Sequence, residues 1–427
     1  MFSDSLPPRI DGIAVVVRHL VDGLIQQGHE VLLIGPGGEL GLSCAAGSGG
    51  IGGLRIVRLP SFITPLDGYP LTLPLRGKVA RALAGFRPEV ISVQTVGPVA
   101  LLGLNWAARH RIRALVSWHT DFEAYARNYS LARVLALSVY LALRQHRPAV
   151  PDPAQSVVAG SLWLATSRVS ALCAPSSSAV AQIRDFGVRQ PVFLLPADVT
   201  ADDLGVGRPE AWRALERIPG RGARPYLLYV GRLSREKNLG LLLAAFERLM
   251  TTNASALLVL AGPTHDPRIR ALLRPYLRDH GDRIVAIGAV PRPALGEIYR
   301  HAAAFVTPSV SETQCLCVSE AIAVGVPVLA VDPMLAQDRP VGAVRVVRPQ
   351  VERLAGAMLE QLAADRRRTG WPVAPAGPAI GHLARRFVAA TRFVPQAQDG
   401  VTYRWDQRHW TETGRSYTAV RSRAGAD

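Results

Sequence analysis

The sequence predicts an α/β protein built from two doubly wound, Rossmann-like domains, and three observations predict it. Apolar strand-like runs alternate with amphipathic helix-like segments along most of the chain. The alternation pauses in a polar, Gly- and Pro-containing stretch from about Thr200 to Pro225 and then restarts. The length, 427 residues, exceeds what one hydrophobic core usually organises.

In the first half, "IAVVVRHLVDGLIQQG" reads as a helix with Gly28 past its end, followed by the strand "HEVLLIG". A glycine-rich loop (Pro36 to Gly53) and the strand "LRIVRLP" come next. Helical "VARALAGF", strand "PEVISVQT", helix "LLGLNWAARH" and strand "RALVSWHT" continue the series, which closes near "CAPSSSAVAQIRDFG" and "PVFLLPADV". In the second half the strands are "YLLYVG", "SALLVLAG", "RIVAIGAV", "AAFVTPS" and "VPVLAVD", with helices around "NLGLLLAAFERLM", "DPRIRALLRPYL" and "ALGEIYRHA" and another from about Leu316. These readings divide the chain into an N-terminal domain 1–200, a second domain 201–375 and a partly helical tail 376–427. No short internal repeat suggests a solenoid.

With 48% hydrophobic and 19% charged residues the chain has ample material for packed cores. Cys44, Cys173, Cys315 and Cys317 are too few and too unevenly spaced for a disulfide framework, and no metal-ligand cluster joins them. The start "MFSDSLPPRIDG" lacks a signal-peptide pattern, and "LARVLALSVYLAL" (Leu131 to Leu143) is too short for a bilayer core. The expectation is a cytoplasmic protein, with peripheral contact at the inner face of an anionic membrane left open by the net charge of +16. Nucleic acid is not expected, because no basic run carries interleaved aromatics and only two of 49 basic residues are lysine, which points to arginine-biased usage.

In doubly wound sheets, ligands bind outside the carboxyl ends of the strands, so the loops there matter most. "YVGRLSREKN" places Arg232 and Lys237 just after a strand, where two cations suit a diphosphate. Lys237 is one of two lysines among 49 basic residues, which favours a compact ammonium at that position over a solvated charge pair with Glu236. In "PSVSETQCLCVSEAIAVGVPVLAVD", a helix expected from near Gln314 aims the N–H groups of Gln314, Cys315, Leu316 and Cys317 at an anion. Glu312 and Glu320 flank that helix start, and carboxylates accept paired hydrogen bonds from vicinal diols, as a sugar nucleotide would offer. Helix capping by Glu312 with a surface Glu320 is the competing reading of this motif alone. In "SWHTDFEAYA", His119 and Asp121 directly follow a strand, and in "PPRIDGIA" Gly12 precedes a helix, permitting close approach to phosphate.

Together these segments resemble the retaining glycosyltransferases of family 4, which have the GT-B fold of two such domains facing across a cleft. The motifs are "PPRIDGIAVVVRHLVDGLIQQGHEV", "SWHTDFEAY", "APSSSAVAQIRDFGV", "VGRLSREKN" and the E-x7-E element "SETQCLCVSEAIAVGVPV". Their order is what makes the resemblance specific. It covers about Phe2 to Asp332 and leaves the first strand of the N-terminal domain short or missing. It implies that Arg232 and Lys237 hold the donor diphosphate, Glu312 the sugar hydroxyls and Glu320 the ribose. It places His119 against the sugar near the reacting carbon and lets the Gly12 loop reach the donor phosphate. The resemblance also implies transfer of a hexose from a GDP- or UDP-linked donor, in a mannosyltransferase-like group, without metal or other cofactor. The acceptor is unidentified, whether lipid, glycan or natural product. A catalytically inert nucleotide-sugar-binding or partner protein of the same fold is the alternative.

Overall fold

Asp11 opens the first helix, Gly12–Gln26, by accepting a hydrogen bond from the Ala14 N–H, and Gly28 beyond its end takes the left-handed φ of 78°. In the computed structural model, the residues described are 1–37, 53–63, 70–121, 169–364, 382–392 and 402–417. Positions 8, 10, 96, 198, 221–223, 254, 407–408 and 413–414 are excepted. Most of the glycine-rich loop, Cys44 and the apolar run Leu131–Leu143 lie outside the described residues. The chain divides into two compact units: Met1–Thr64, Tyr69–Ala197 and Ile380–Asp427 form one, Pro65–Gly68 and Asp198–Ala379 the other.

In the first unit, β1 (Val31–Gly37) pairs in parallel with β2 (Leu54–Ile63), and β2 pairs antiparallel with β3 (Pro70–Thr72). A second run, β4 (Val90–Val93), β5 (Arg113–Ser117), β6 (Ala171–Ala174) and β7 (Val192–Leu194), is parallel throughout. Where the sequence leaves the first strand short or missing, a stub around Phe2 lies between the two runs and bridges Ile34 of β1 and Val93 of β4. The Phe2 N–H donates to the Ser92 carbonyl at 2.7 Å, its carbonyl accepts from Gln94 at 2.8 Å, and the Ser3 N–H donates to Ile34 at 3.1 Å. The Phe2 ring is fully buried, and a Cβ on Gly103 of the helix Pro98–His110 would stand 2.7 Å from it, so glycine lets that helix close over the stub.

The second unit is one parallel sheet in the order β10 (Ile284–Gly288), β9 (Leu257–Ala261), β8 (Tyr226–Val230), β11 (Ala304–Thr307), β12 (Val328–Ala330), β13 (Val344–Val346). The strand order reverses direction between β8 and β11, which makes their carboxyl ends the switch point where such sheets place ligands. Tyr226, Tyr299, Phe246 and Phe305 fill its core on the two faces of the sheet. The stretch 200–225, polar in sequence, belongs to this unit. It holds the helix Pro209–Leu215, and Leu204 and Ile218 are buried in the same core, apolar anchors too widely spaced to register as a periodic pattern.

After the second unit the chain returns to the first. The helix His382–Arg392 packs beside Gly12–Gln26, and β14 (Thr402–Asp406) pairs in parallel with β7. β15 (His409–Glu412) and β16 (Arg415–Tyr417) continue antiparallel, so the tail, read from sequence as partly helical, adds three strands to the edge of the first sheet.

Candidate functional site

The loop after β8 is shaped by its backbone. Gly231 takes φ 147°, and a Cβ on Gly262, past β9, would lie 1.8 Å from the Gly231 carbonyl oxygen, so glycine there lets the two strand ends touch. The Tyr229 hydroxyl donates to the Arg232 carbonyl at 2.9 Å and fixes the turn. A short 3₁₀ segment, Arg235–Lys237, then delivers Lys237, and left-handed Asn238 reverses into the helix Leu239–Met250 while its amide donates to Pro308 beyond β11. The loops after β8 and β11 are thereby stapled together.

On that staple, Lys237 Nζ meets Glu312 Oε1 at 2.7 Å. Burial pulls the ammonium pKa down, but Glu312, Cys315 and Glu236 more than offset this, and it ends above its ordinary value. Lys237 is therefore charged across the physiological range. Arg232 pairs with Glu236 at 3.2 Å, and Glu236, despite the opposing effect of burial, is held below the usual carboxylate range by Arg232, Lys237 and the Ser234 hydroxyl. Asp332, after β12, accepts from the Glu312 N–H at 3.2 Å and from Met334, which fixes Glu312 against the loop that follows β12.

The helix expected from near Gln314 starts later, at Leu316, and runs to Ala323. Cys315 stands at its cap with φ 52°, a left-handed turn that places the N–H groups of Gln314 and Cys315 ahead of the helix, leaving Leu316 and Cys317 as its first donors. Gln314 is buried, and its carbonyl accepts from Arg339 at 2.9 Å. The thiols of Cys315 and Cys317 are both pushed up, first by burial, Cys315 to about 12, so neither is a nucleophile at neutral pH.

Glu320 is buried, with Arg292 Nη1 on Oε1 at 2.6 Å and the Tyr299 hydroxyl on Oε2 at 2.7 Å. This excludes the surface position that one reading of the sequence allowed. Each carboxylate oxygen keeps a further lone pair, so the two partners orient Glu320 without exhausting it as an acceptor. Arg232, Lys237, Glu312, Cys315, Leu316, Cys317 and Glu320 thus share one corner of the second unit.

Gly12 and His119 lie in the first unit. Gly12 is exposed at the start of its helix, directly after Asp11, which also holds Arg9 at 2.5 Å and the Ser5 hydroxyl at 2.6 Å. His119 follows β5, half-buried, with Nε2 3.0 Å from Gln94 Oε1. The Gln94 amide nitrogen donates to Ser92 Oγ, which makes Oε1 the acceptor and puts the proton on Nε2. Burial lowers the imidazole pKa to about 4 against the opposing pull of Asp11, so His119 is a neutral hydrogen-bonding group at pH 7. Asp121 accepts from Gln182 at 3.3 Å.

Sequence reasoning missed Asp4, Arg292, Tyr299 and Arg339, none of which carries a spacing signal. Asp4 is fully buried; it takes the Thr95 hydroxyl at 2.7 Å and the Val99 N–H at 3.2 Å at the start of the helix Pro98–His110. Desolvation outweighs these hydrogen bonds and raises its carboxyl to about 6. Among the described residues there is no group of three or more His, Cys, Asp or Glu that could hold a metal ion, and no helix is long and apolar enough to cross a membrane.

Comparison with known proteins matches residues 10–197 to the family "Glycosyltransferase Family 4" and residues 224–364 to "Glycosyl transferases group 1". The chain is 29% identical over 339 residues to a GDP-mannose-dependent alpha-mannosyltransferase of Mycolicibacterium smegmatis, covering 77% of this chain and 78% of that one. It is 25% identical over 386 residues to an alpha-monoglucosyldiacylglycerol synthase of Streptococcus pneumoniae, covering 85% and 78%. Among solved structures, sucrose-phosphate synthase from Thermosynechococcus elongatus aligns with a TM-score of 0.61 at 21% identity over 89% of each chain.

Proposed function

The chain belongs to glycosyltransferase family 4 and has the GT-B fold, and from that premise we propose that it transfers mannose from GDP-mannose to a lipid acceptor at an anionic membrane surface. That it is a retaining glycosyltransferase using a nucleotide sugar follows from the family. The choice of sugar and base is supported by the mannosyltransferase relatives, and the lipid acceptor by the diacylglycerol-linked one.

The observation that carries the site assignment is the Lys237–Glu312 contact. An ammonium and a carboxylate held together at the switch point offer one group to phosphate and one to sugar hydroxyls. In this reading Arg232 and Lys237 hold the diphosphate, and the first N–H groups of the helix Leu316–Ala323 face it. Charge grows on the departing diphosphate as the glycosidic bond breaks, and these preorganised donors stabilise it in place. Glu312 takes the sugar hydroxyls and Glu320, oriented by Arg292 and Tyr299, the ribose diol. In the first unit, His119, neutral and with its Nε2 proton given to Gln94, keeps Nδ1 as an acceptor for a sugar hydroxyl without competing as a base, and the exposed Gly12 turn leaves room for phosphate. The acceptor attacks on the face the diphosphate leaves, with no protein nucleophile and no metal or other cofactor assigned.

Membrane contact is supported by the surface of β2, β3 and the helix Arg76–Phe86. Phe62, Leu73 and Leu75 are 52%, 49% and 42% exposed there, and Lys78 docks the helix onto β2 through the Arg58 carbonyl. Arg76, Lys78 and Arg81 are exposed on the helix that follows Leu73 and Leu75, and the described residues from Leu54 to Arg87 contain no acid. Apolar tips next to cations suit an anionic headgroup layer. The experiment that tests the function is release of GDP from GDP-mannose, and of UDP from UDP-glucose, by wild type, Lys237→Ala and Glu312→Ala. Turnover by wild type that both variants lose supports the reading; equal turnover in all three removes the site assignment, and binding without turnover leaves the inert alternative.

A further inference from the structure

Three cations of the second-unit cluster have carboxylate partners: Arg232 has Glu236, Lys237 has Glu312 and Arg292 has Glu320. A fourth does not. Arg339, in the loop after β12, closes no ion pair among the described residues. Its guanidinium gives Nη2–H to the Gln314 carbonyl at 2.9 Å. That uses one of five N–H donors, and the acceptor is neutral.

The position of this group is tightly set. Gln314 directly precedes the left-handed Cys315 that turns the chain into the helix Leu316–Ala323, so Arg339 stands beside the first free N–H groups of that helix. Glu312, Lys237 and Arg339 each act electrostatically on the buried Cys315 thiol, so all three lie in its vicinity. Arg339 is half-buried, and desolvation lowers its pKa against the pull of Cys315 and the neighbouring Asp338. A guanidinium drawn partly out of water without a carboxylate on it is stabilised when a ligand brings the missing charge, and phosphate oxygens match its fork.

We propose that Arg339 is a further donor-binding residue, whose guanidinium takes the distal phosphate of a nucleoside diphosphate opposite Lys237. This rests on the donor-site reading above and adds to it a cation from a loop that none of the sequence motifs includes. The competing role is a clamp on the Gln314 carbonyl that shapes the Cys315 turn and never touches ligand.

Calorimetric titration of the full chain with GDP, UDP, GMP and UMP separates the two, using wild type, Arg339→Gln and Arg339→Ala. Glutamine keeps an N–H donor for the Gln314 carbonyl and removes only the charge. The expected result is diphosphate affinity weakened about tenfold or more in both variants, with monophosphate affinity within about twofold of wild type. Equal weakening of diphosphate and monophosphate, or wild-type diphosphate binding by Arg339→Gln, overturns the proposal and leaves the clamp. Should Arg339→Gln melt well below wild type, Arg339→Lys takes its place, retaining charge without the fork. It is expected to lose part of the diphosphate affinity and none of the monophosphate affinity, and an unchanged diphosphate affinity again overturns the proposal. Wild type binding none of the four nucleotides sinks the donor-site reading itself, and this proposal with it.

Discussion

Lys237 Nζ and Glu312 Oε1 lie 2.7 Å apart across the loops that leave β8 and β11, the two strands between which the order of the second sheet reverses. Lys237 is 21% exposed at the side chain and Glu312 9%, so this is a largely desolvated pair, and removing one member strands the other. We expect Lys237→Ala and Glu312→Ala each to lower kcat/KM by about 100-fold or more, the loss usual for a group aimed at transition-state charge. Lys237→Arg should recover little, because a planar fork does not replace a compact ammonium. Initial rates against donor concentration check both expectations; activity in Lys237→Arg equal to wild type would show that any cation suffices there.

Tyr299 acts through Glu320. Its hydroxyl donates to Oε2 at 2.7 Å in a fully buried setting, so Tyr299→Phe leaves Glu320 held by Arg292 alone. A raised donor KM, by about three- to tenfold, with kcat within twofold is the expected outcome, the net size of an ordinary hydrogen bond felt through Glu320. A fall in kcat at unchanged KM would mean that Glu320 serves the reacting centre rather than the ribose.

Two titrating groups of the first unit, His119 and Asp4, pull stability in opposite directions with pH. His119 has a folded pKa of about 4, below its unfolded 6.5, so the unfolded chain takes up a proton first and folding weakens as pH falls from about 6.5 to 4. Asp4 has a folded pKa of about 6, above its unfolded 3.8, so its carboxyl favours folding fully below about 4 and loses that contribution as pH rises through 6. Urea unfolding at pH 7 and pH 5 reads both. Relative to wild type, His119→Asn should gain stability on going to pH 5, and Asp4→Asn should lose it. Parallel curves for all three proteins would refute both assignments.

The surface around Phe62, Leu73 and Leu75 leads to a fourth expectation. Flotation with vesicles containing anionic phospholipid should carry wild type upward, and neutral vesicles should not. Replacing Arg76, Lys78 and Arg81 by glutamine should abolish flotation while leaving donor turnover in solution unchanged. Equal binding to neutral vesicles would point to apolar insertion without charge recognition.

Much of the fold was legible because alternation of period is a local signal: from "HEVLLIG" to "VPVLAVD" most strands announce themselves as short apolar runs, whereas the three-residue β3 does not. Phe2 announces nothing, since a two-residue bridge has no periodicity, and only the buried ring and its hydrogen bonds to Ser92 and Gln94 reveal the stub. In the tail, β14 was illegible for another reason: its partner is β7, some 200 residues earlier, and long-range pairing leaves no mark in local composition, while β15 and β16 extend it by local antiparallel pairing. Within the site, Lys237 stood out because lysine is rare in this chain, and Glu312 with Glu320 because of their spacing. Arg339 and Asp4 did not, one being an arginine among many and the other an aspartate whose significance lies in being buried. The helix start was misplaced by two residues because the left-handed turn falls on Cys315, a residue type that seldom adopts one.

The most direct measurement is a structure of the protein with GDP-mannose, and with UDP-glucose in parallel. We expect the nucleotide diphosphate against Arg232 and Lys237, the ribose at Glu320 and the sugar hydroxyls at Glu312. A nucleotide bound with its diphosphate and ribose away from all four side chains would contradict the account.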